Sequence, residues 1–422
     1  MKLPCTLSLV LLCILIGPTA GVDAQADGES PRIVIDDGCG LWSERDTGFW
    51  VSAEALLWNR TQSTGGGTII GGPESLEFGN QSYTYEGGYR LGLGWLIDPN
   101  YEVEGIWTQF HGWNAGSSGF LSHAISFDGG ETSLSVDPSG AANFINRSTF
   151  FRSLYDSATD ALSGGANDET AEFEFMQPGS VYTMHQTSAL EDGQVNMKTR
   201  RALGQRFRWG LGYRHVLLSE GSQVGITGTF DAFDVDGDEA TTNEPNDKLS
   251  GQALLAQGLT LLNGTGDFND PSLGGGVFTM FWNGTTRNQM NGVQGVVEGT
   301  LLERGRFSLD GNLRTGILYN RVQGTVFERY ADSVDSIYTR QFTDTDDRIS
   351  FVSNLGLNAV IRLAERVRIR TGYEVMFLTN VALGPSQQQG LTYDGLGNAS
   401  YAVQGNDTVI LNGFNAGLEL DW

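Results

Sequence analysis

Cysteine, histidine and lysine are all scarce in this chain of 422 residues. The cysteines are Cys5, Cys13 and Cys39, and the four histidines are His111, His123, His185 and His215. So few thiols and imidazoles give little material for a zinc centre, a disulfide framework or a Ser-His-Asp relay. Lysine occurs at Lys2, Lys198 and Lys248, and the formal net charge is −24. Such an acidic chain repels phosphate backbones, which argues against nucleic acid as a partner. Beyond the first two dozen residues there is no apolar run of the ~20 residues that a membrane helix needs. Glycine is abundant, at 58 residues, but has no collagen period. With 9 Trp, 13 Tyr and 22 Phe, intrinsic disorder is a poor fit. What is present is a glycine-rich, aromatic-rich β protein.

The N-terminus reads as an export signal. Lys2 supplies a positive end, Leu7 to Ile16 an apolar core, and Gly17-Pro18 a break. Val22-Asp23-Ala24 offers a small-x-small cleavage site, with Ala20 as the alternative. Cleavage after Ala24 removes 1–24 and leaves Cys39 alone in a polar N-terminal segment, 25–47, expected in the periplasm.

From residue 48 onward the dominant signal has period two. Tyr85, Tyr89, Leu91, Leu93, Trp95 and Ile97 alternate with Glu86, Gly88, Arg90, Gly92 and Gly94. Phe207, Trp209, Leu211 and Tyr213 alternate with Arg206, Arg208, Gly210, Gly212 and Arg214. The same holds along 307–319, 351–363 and 367–377. Successive side chains of a strand point to opposite faces, so each run has one apolar and one polar or empty face. The runs exceed the 5–6 residues of a soluble strand and suit the ~9–11 of a bilayer-crossing one.

Ten strands are expected near 48–58, 84–97, 100–111, 193–203, 206–220, 288–302, 306–323, 348–363, 366–380 and 408–422, with twelve as the alternative count. Tight turns at 98–100, 204–205, 303–305 and 364–365 alternate with long loops at 59–83, 112–192, 221–287, 324–347 and 381–407. This is the plan of an all-β, antiparallel transmembrane β-barrel, with short periplasmic turns and long external loops. The C-terminus fits: Leu418, Leu420 and Trp422 alternate up to a terminal aromatic. They are the expected assembly signal for the barrel-assembly machinery.

Phe49–Trp58, Asn354–Asn358, Gly372 through Val381 and Gly413–Trp422 together carry a family likeness. The sequence resembles the β-barrel porin family 7 of planctomycete bacteria. One departure is Ala382-Leu383-Gly384-Pro385, where an Arg-Pro-Gly-like turn would be expected. The resemblance implies an outer-membrane barrel; it supplies no substrate and no catalytic residue.

The negative charge collects in the predicted loops, whereas the strands are slightly basic. Parity places Glu54, Arg90, Lys198, Arg200, Arg206, Arg208, Arg214, Arg314, Arg362, Arg368, Arg370 and Glu374 on the lumen side, together with Glu86, Glu102, Glu104, Glu298, Asp310 and Glu419. Buried charge must be paired or hydrated, so a mixed-sign interior suits a narrow barrel. Asp234, Asp236, Asp238 and Glu239 suggest calcium, yet the EF-hand positions for Gly and Glu hold Glu239 and Pro245. A solvated acidic loop is the expectation there, divalent cations at the acidic loops being the alternative, with no resident metal and no cofactor. The expected function is a narrow, porin-like pore for small solutes or ions in the outer membrane of a Gram-negative-type bacterium, in contact with outer-membrane lipid. The alternative is an adhesin or structural envelope protein using its acidic loops. A barrel hydrolase ranks third, and the chain is expected not to be an enzyme.

Overall fold

The computed structural model describes residues 48–61, 68–98, 100–123, 125–127, 143–145, 174–176, 178–199, 206–229, 255, 259–264, 277–332, 336–393 and 399–422. The export signal, Cys39, Arg200, the turn at 204–205 and Asp234 to Glu239 lie outside them.

Ten strands close a ring. They are β1 (Phe49–Arg60), β2 (Glu86–Asp98), β3 (Tyr101–Phe120), β4 (Val181–Thr199), β5 (Phe207–Gly228), β6 (Phe278–Arg304), β7 (Phe307–Asp332), β8 (Ile337–Ala364), β9 (Val367–Val381) and β10 (Asp407–Asp421). Each pairs antiparallel with its sequence neighbour, and β1 pairs with β10 to close the circle. The fold is therefore the antiparallel transmembrane β-barrel expected, with ten wall strands. A short strand, Thr260–Asn263, flanks the outer end of β8. Five short strands (Thr68–Gly71, Leu76–Glu77, Ile125–Phe127, Asn143–Ile145 and Glu174–Met176) form a small separate sheet.

The outward face carries an apolar belt. Trp95, Leu211 and Val293 are about two-thirds exposed, and Leu91, Leu93, Ile317, Phe351, Phe414 and Leu418 are also exposed. Side chains so apolar and so open belong against lipid. At the short-turn end the belt finishes in aromatics, among them Phe49 and the terminal Trp422, whose rings lie 5.7 Å apart. On its far side, the hydroxyls of Tyr213 and Tyr373 donate to the outward amides of Asn291 and Asn412. Aromatic girdles of this kind mark the two boundaries of a bilayer.

Six strands are taller than the sequence reading expected. β3 to β8 run on through 112–120, 181–192, 221–228, 278–287, 324–332 and 337–347, all assigned above to loops. The physical reason is a change of phase. Within the belt of β5 the apolar residues Phe207, Trp209 and Leu211 face out. Beyond it, Val216, Leu218, Val224 and Ile226 are fully buried on the inward face, while Ser219, Gly221 and Gln223 take the outward one. The alternation persists but inverts, so a search for outward apolar residues stops too early. β9, β10, β1 and β2 stay short, leaving a wall that is high on one side and low on the other.

Candidate functional site

The lumen is filled in two layers. The layer near the short turns is polar and charged, and most of the predicted lumen residues meet there. Arg90 on β2 bridges two neighbours: Nη1 donates to Glu54 Oε2 at 3.1 Å, and Nη1 and Nη2 both donate to Glu374, each at 2.7 Å. Arg370 stands 3.6 Å from the same Glu54. A second group centres on Lys198, fully buried, with Nζ 2.5 Å from Glu104 and 3.1 Å from Glu298. Arg208 bridges Glu298 (2.6 Å) and Glu102 (2.8 Å), and Arg314 donates to Glu298 at 2.9 Å. The indole of Trp50 donates to Glu102. A third group is the two-pronged contact of Arg214 with Asp192, at 2.9 and 2.7 Å, extended by Asn354. At the mouth Arg368 pairs with Glu419 and Asp421.

Arg206 and Arg362 lie at that mouth, exposed and half-buried. Asp310 accepts from Thr300. The basic residues of this layer thus sit among carboxylates, and among the described residues no bare cationic stripe lines the wall. Between Glu54, Arg90, Glu104, Arg314 and Glu374 a cavity of about 40 Å³ remains, room for about one water.

The outer layer is apolar and is built partly by inserted chain. Leu56, Trp58, Phe110, Trp113, Val216, Met290, Leu318 and Met376 project inward from the wall and pack into one cluster. Into them reach Tyr83, Val381 and Leu383, from the segments joining β1 to β2 and β9 to β10. One ion pair is sealed here: Arg60 donates to Glu220 at 2.7 Å, Ser188 donates to the other oxygen, and the guanidinium lies 4.4 Å from the Tyr83 ring. Burial pushes the Tyr83 hydroxyl well above its ordinary value.

The segment after β9 is the main insertion. Asn380 takes a left-handed φ of 55°, and the chain then turns inward, so that residues 381–388 are all buried. Thr286 and Asn288 on β6 fasten it to the wall, Thr286 donating to the Ala382 carbonyl at 2.9 Å, and Gln387 knits the segment to itself. Asn288 on β6 accepts the Ala382 N–H at 2.7 Å and donates to the Ala382 carbonyl at 2.8 Å, the double bond that a neighbouring strand would make. Gln387 uses all four of its hydrogen-bonding positions: Nε2 donates to the carbonyls of Leu383 and Gln404, and Oε1 accepts from Tyr401 Oη and Gln404 N–H. Gly384 is required: a Cβ there would stand 2.7 Å from Ser222 Oγ and 3.0 Å from the Gly284 carbonyl.

Parity missed Asn288, Gln387, Arg60, Glu220 and Asp192 as site residues. A signal existed for Asn288, which shares the inward parity of Gln294 and Glu298 on β6. Gln387 had none, because its partners arrive through a loop. The rim histidines do not converge. His111 faces outward with its ring 6.1 Å from that of Tyr89, His185 is exposed on the outside of β4, and His123 lies beside Glu74. Ser122 and Glu74 both approach the same ring nitrogen of His123, Nδ1, at 3.1 and 3.5 Å, whereas a relay places acid and nucleophile on opposite nitrogens.

No family model matches the chain, and no curated protein matches it. Among solved structures it is similar to the outer membrane protease OmpT from Escherichia coli, at 12% identity and TM-score 0.38 over 90% of this chain and 97% of that one. It is also similar to the P. putida toluene transporter TodX, at 10% identity and TM-score 0.25 over 90% and 92%. The translocator domain of autotransporter NalP from Neisseria meningitidis matches at 10% identity and TM-score 0.22 over 92% and 91%.

Proposed function

We propose that this chain is an outer-membrane β-barrel forming a narrow pore that is closed at rest, the gate being its own inserted segment 381–390. The observation that carries this reading is the fastening of Ala382 by Asn288. A permanently solid interior needs only wall side chains packed on one another. Here the outer half is completed by a separable stretch of chain, held by side-chain hydrogen bonds in place of a strand ladder. Beneath it lies a charged, partly hydrated layer in which small ions or polar solutes could exchange with carboxylates and guanidinium groups. The reading assigns no enzymatic step.

Planar-bilayer recording of the purified protein tests this. The wild type is expected to be silent or to open briefly at low conductance. Replacing 384–402 by a short turn, or Asn288 by Ala, is expected to lengthen or enlarge the openings. A barrel that stays silent in both variants, with its fold intact, would mean that the wall itself seals the lumen. The adhesin or structural reading would then lead. The observation favouring that second reading is the tall wall: β6 has 27 residues, far beyond the ~9–11 that cross a bilayer.

A further inference from the structure

Where β9 turns inward at Val381 it vacates its place in the wall. β8 continues past it, and β10 begins only at Asp407. Above the end of β9, β8 and the approach to β10 are therefore about two interstrand spacings apart, ~10 Å. The space between them is a notch of about 430 Å³, bounded by Asp346, Arg348 and Ile349 of β8, Asn380 and 403–406. Its level is set by Ile349, the last exposed apolar residue on the outward face of β8, 49% exposed and paired with Tyr319. Asp347 follows on the same face. The notch thus lies at the far edge of the apolar belt, where lipid headgroups lie, with Ile349 on its outward side.

Two occupants fit poorly. An added strand would need free backbone groups, and those flanking the notch are taken. Asn380 Nδ2 donates to the Ile349 carbonyl at 3.0 Å, and the Asp347 N–H donates to Asp346 at 2.9 Å. The Val403 and Gln404 N–H groups donate to Asp344 and Gln387, each at 3.0 Å. An anionic group would face Asp346, whose carboxylate already holds Arg348 Nη2.

What remains is a set of planar polar side chains of balanced charge beside apolar Ile349 and Val403. Arg348 Nε is buried without a partner, and Nη1 makes only a long contact, 3.5 Å, with Asn406 Oδ1. Guanidinium, carboxylate and amide groups both donate and accept, as the adjacent hydroxyls of a sugar ring require. We propose that the notch binds the saccharide headgroup of an outer-leaflet glycolipid, whose acyl chains lie along the outward Ile349, Phe351 and Phe377.

The test uses the full chain in phosphatidylethanolamine nanodiscs doped with glucosyl-diacylglycerol or with phosphatidylglycerol of the same acyl chains. Native mass spectrometry reads the lipid retained. The expected result is retention of the glucosyl lipid about tenfold above phosphatidylglycerol. Gly405→Val is expected to abolish the preference, because a Cβ there would stand 2.2 Å from Arg348 Nη1 and force the guanidinium to move. Asn406→Leu should do the same by removing an amide, and it decides the matter if Gly405→Val fails to show the heat-modifiable mobility of a folded barrel. Equal retention of the two lipids, or an undiminished preference in the folded variants, would overturn the proposal. Binding of free maltotriose without any glucosyl-lipid preference would also overturn it, by placing the ligand in solution.

Discussion

Glu298→Gln should be among the most damaging single changes available to this barrel. The carboxylate receives Lys198 at 3.1 Å, Arg208 at 2.6 Å and Arg314 at 2.9 Å, and the Lys198 side chain has no exposed surface. Three cations (Lys198, Arg208 and Arg314) face three anions (Glu102, Glu104 and Glu298), so the cluster is neutral as built. The amide keeps the shape and removes one negative charge, leaving a buried positive excess. Breaking one side of a buried pair costs about 3–5 kcal/mol, because the partner stays desolvated. Against a total of ~5–15 kcal/mol for a typical domain, that is a large fraction. The second change Lys198→Met returns the cluster to neutrality and should recover at least half the loss, although Met cannot hydrogen-bond Glu104. Guanidinium unfolding in detergent, followed by Trp fluorescence, gives both numbers. A Glu298→Gln loss below about 0.5 kcal/mol would place the network in free exchange with water and refute its role as a buried cluster.

Arg at Leu93, which is half exposed in the belt, should cost ~2–4 kcal/mol of barrel stability in lipid. Arg at neighbouring Gly92 should be no better tolerated, since a Cβ there already meets Ser52 Oγ at 2.4 Å and the Trp50 ring at 3.0 Å; a mild Gly92→Arg would show an interior with spare room.

Much of this was legible in the chain because lipid imposes a strict pattern. Leu93, Trp95, Leu211 and Leu313 must face out over the belt, and parity then placed Glu54, Arg90, Lys198, Arg208, Arg314 and Glu374 inside, where they are found. What parity could not give was the partner of each charge. The bonds of Arg90 to Glu374 and of Lys198 to Glu298 join residues 284 and 100 positions apart, and strand tilt sets which inward residues meet. The outer halves of β4 to β8 were hidden for another reason. Above the belt water is outside and protein inside, so the same alternation carries the opposite meaning, as Val216 and Val224 show. The inserted segment at 381–390 has no period at all. Gly384-Pro385-Ser386-Gln387-Gln388 reads as a surface turn, yet it is buried because Asn288 and Gln387 satisfy backbone groups that would otherwise need solvent.

The uneven wall bears on how the ring is made. The tallest pair joined by a tight turn, β6 with β7, has 27 and 26 residues connected at Gly305, so its ladder grows outward from neighbours in sequence. The joint that completes the circle is different in kind. β1 and β10 have only 12 and 15 residues and must find each other across nearly all the residues between 60 and 407. Local hairpins repay their ordering at once, whereas a contact between chain ends repays it only after everything between is in place. Assembly should therefore proceed from the tall hairpins toward the low side and end at the β1–β10 seam. That seam is also where a barrel under load would come apart first. The indole of Trp422 against Phe49 is the clasp on that last joint.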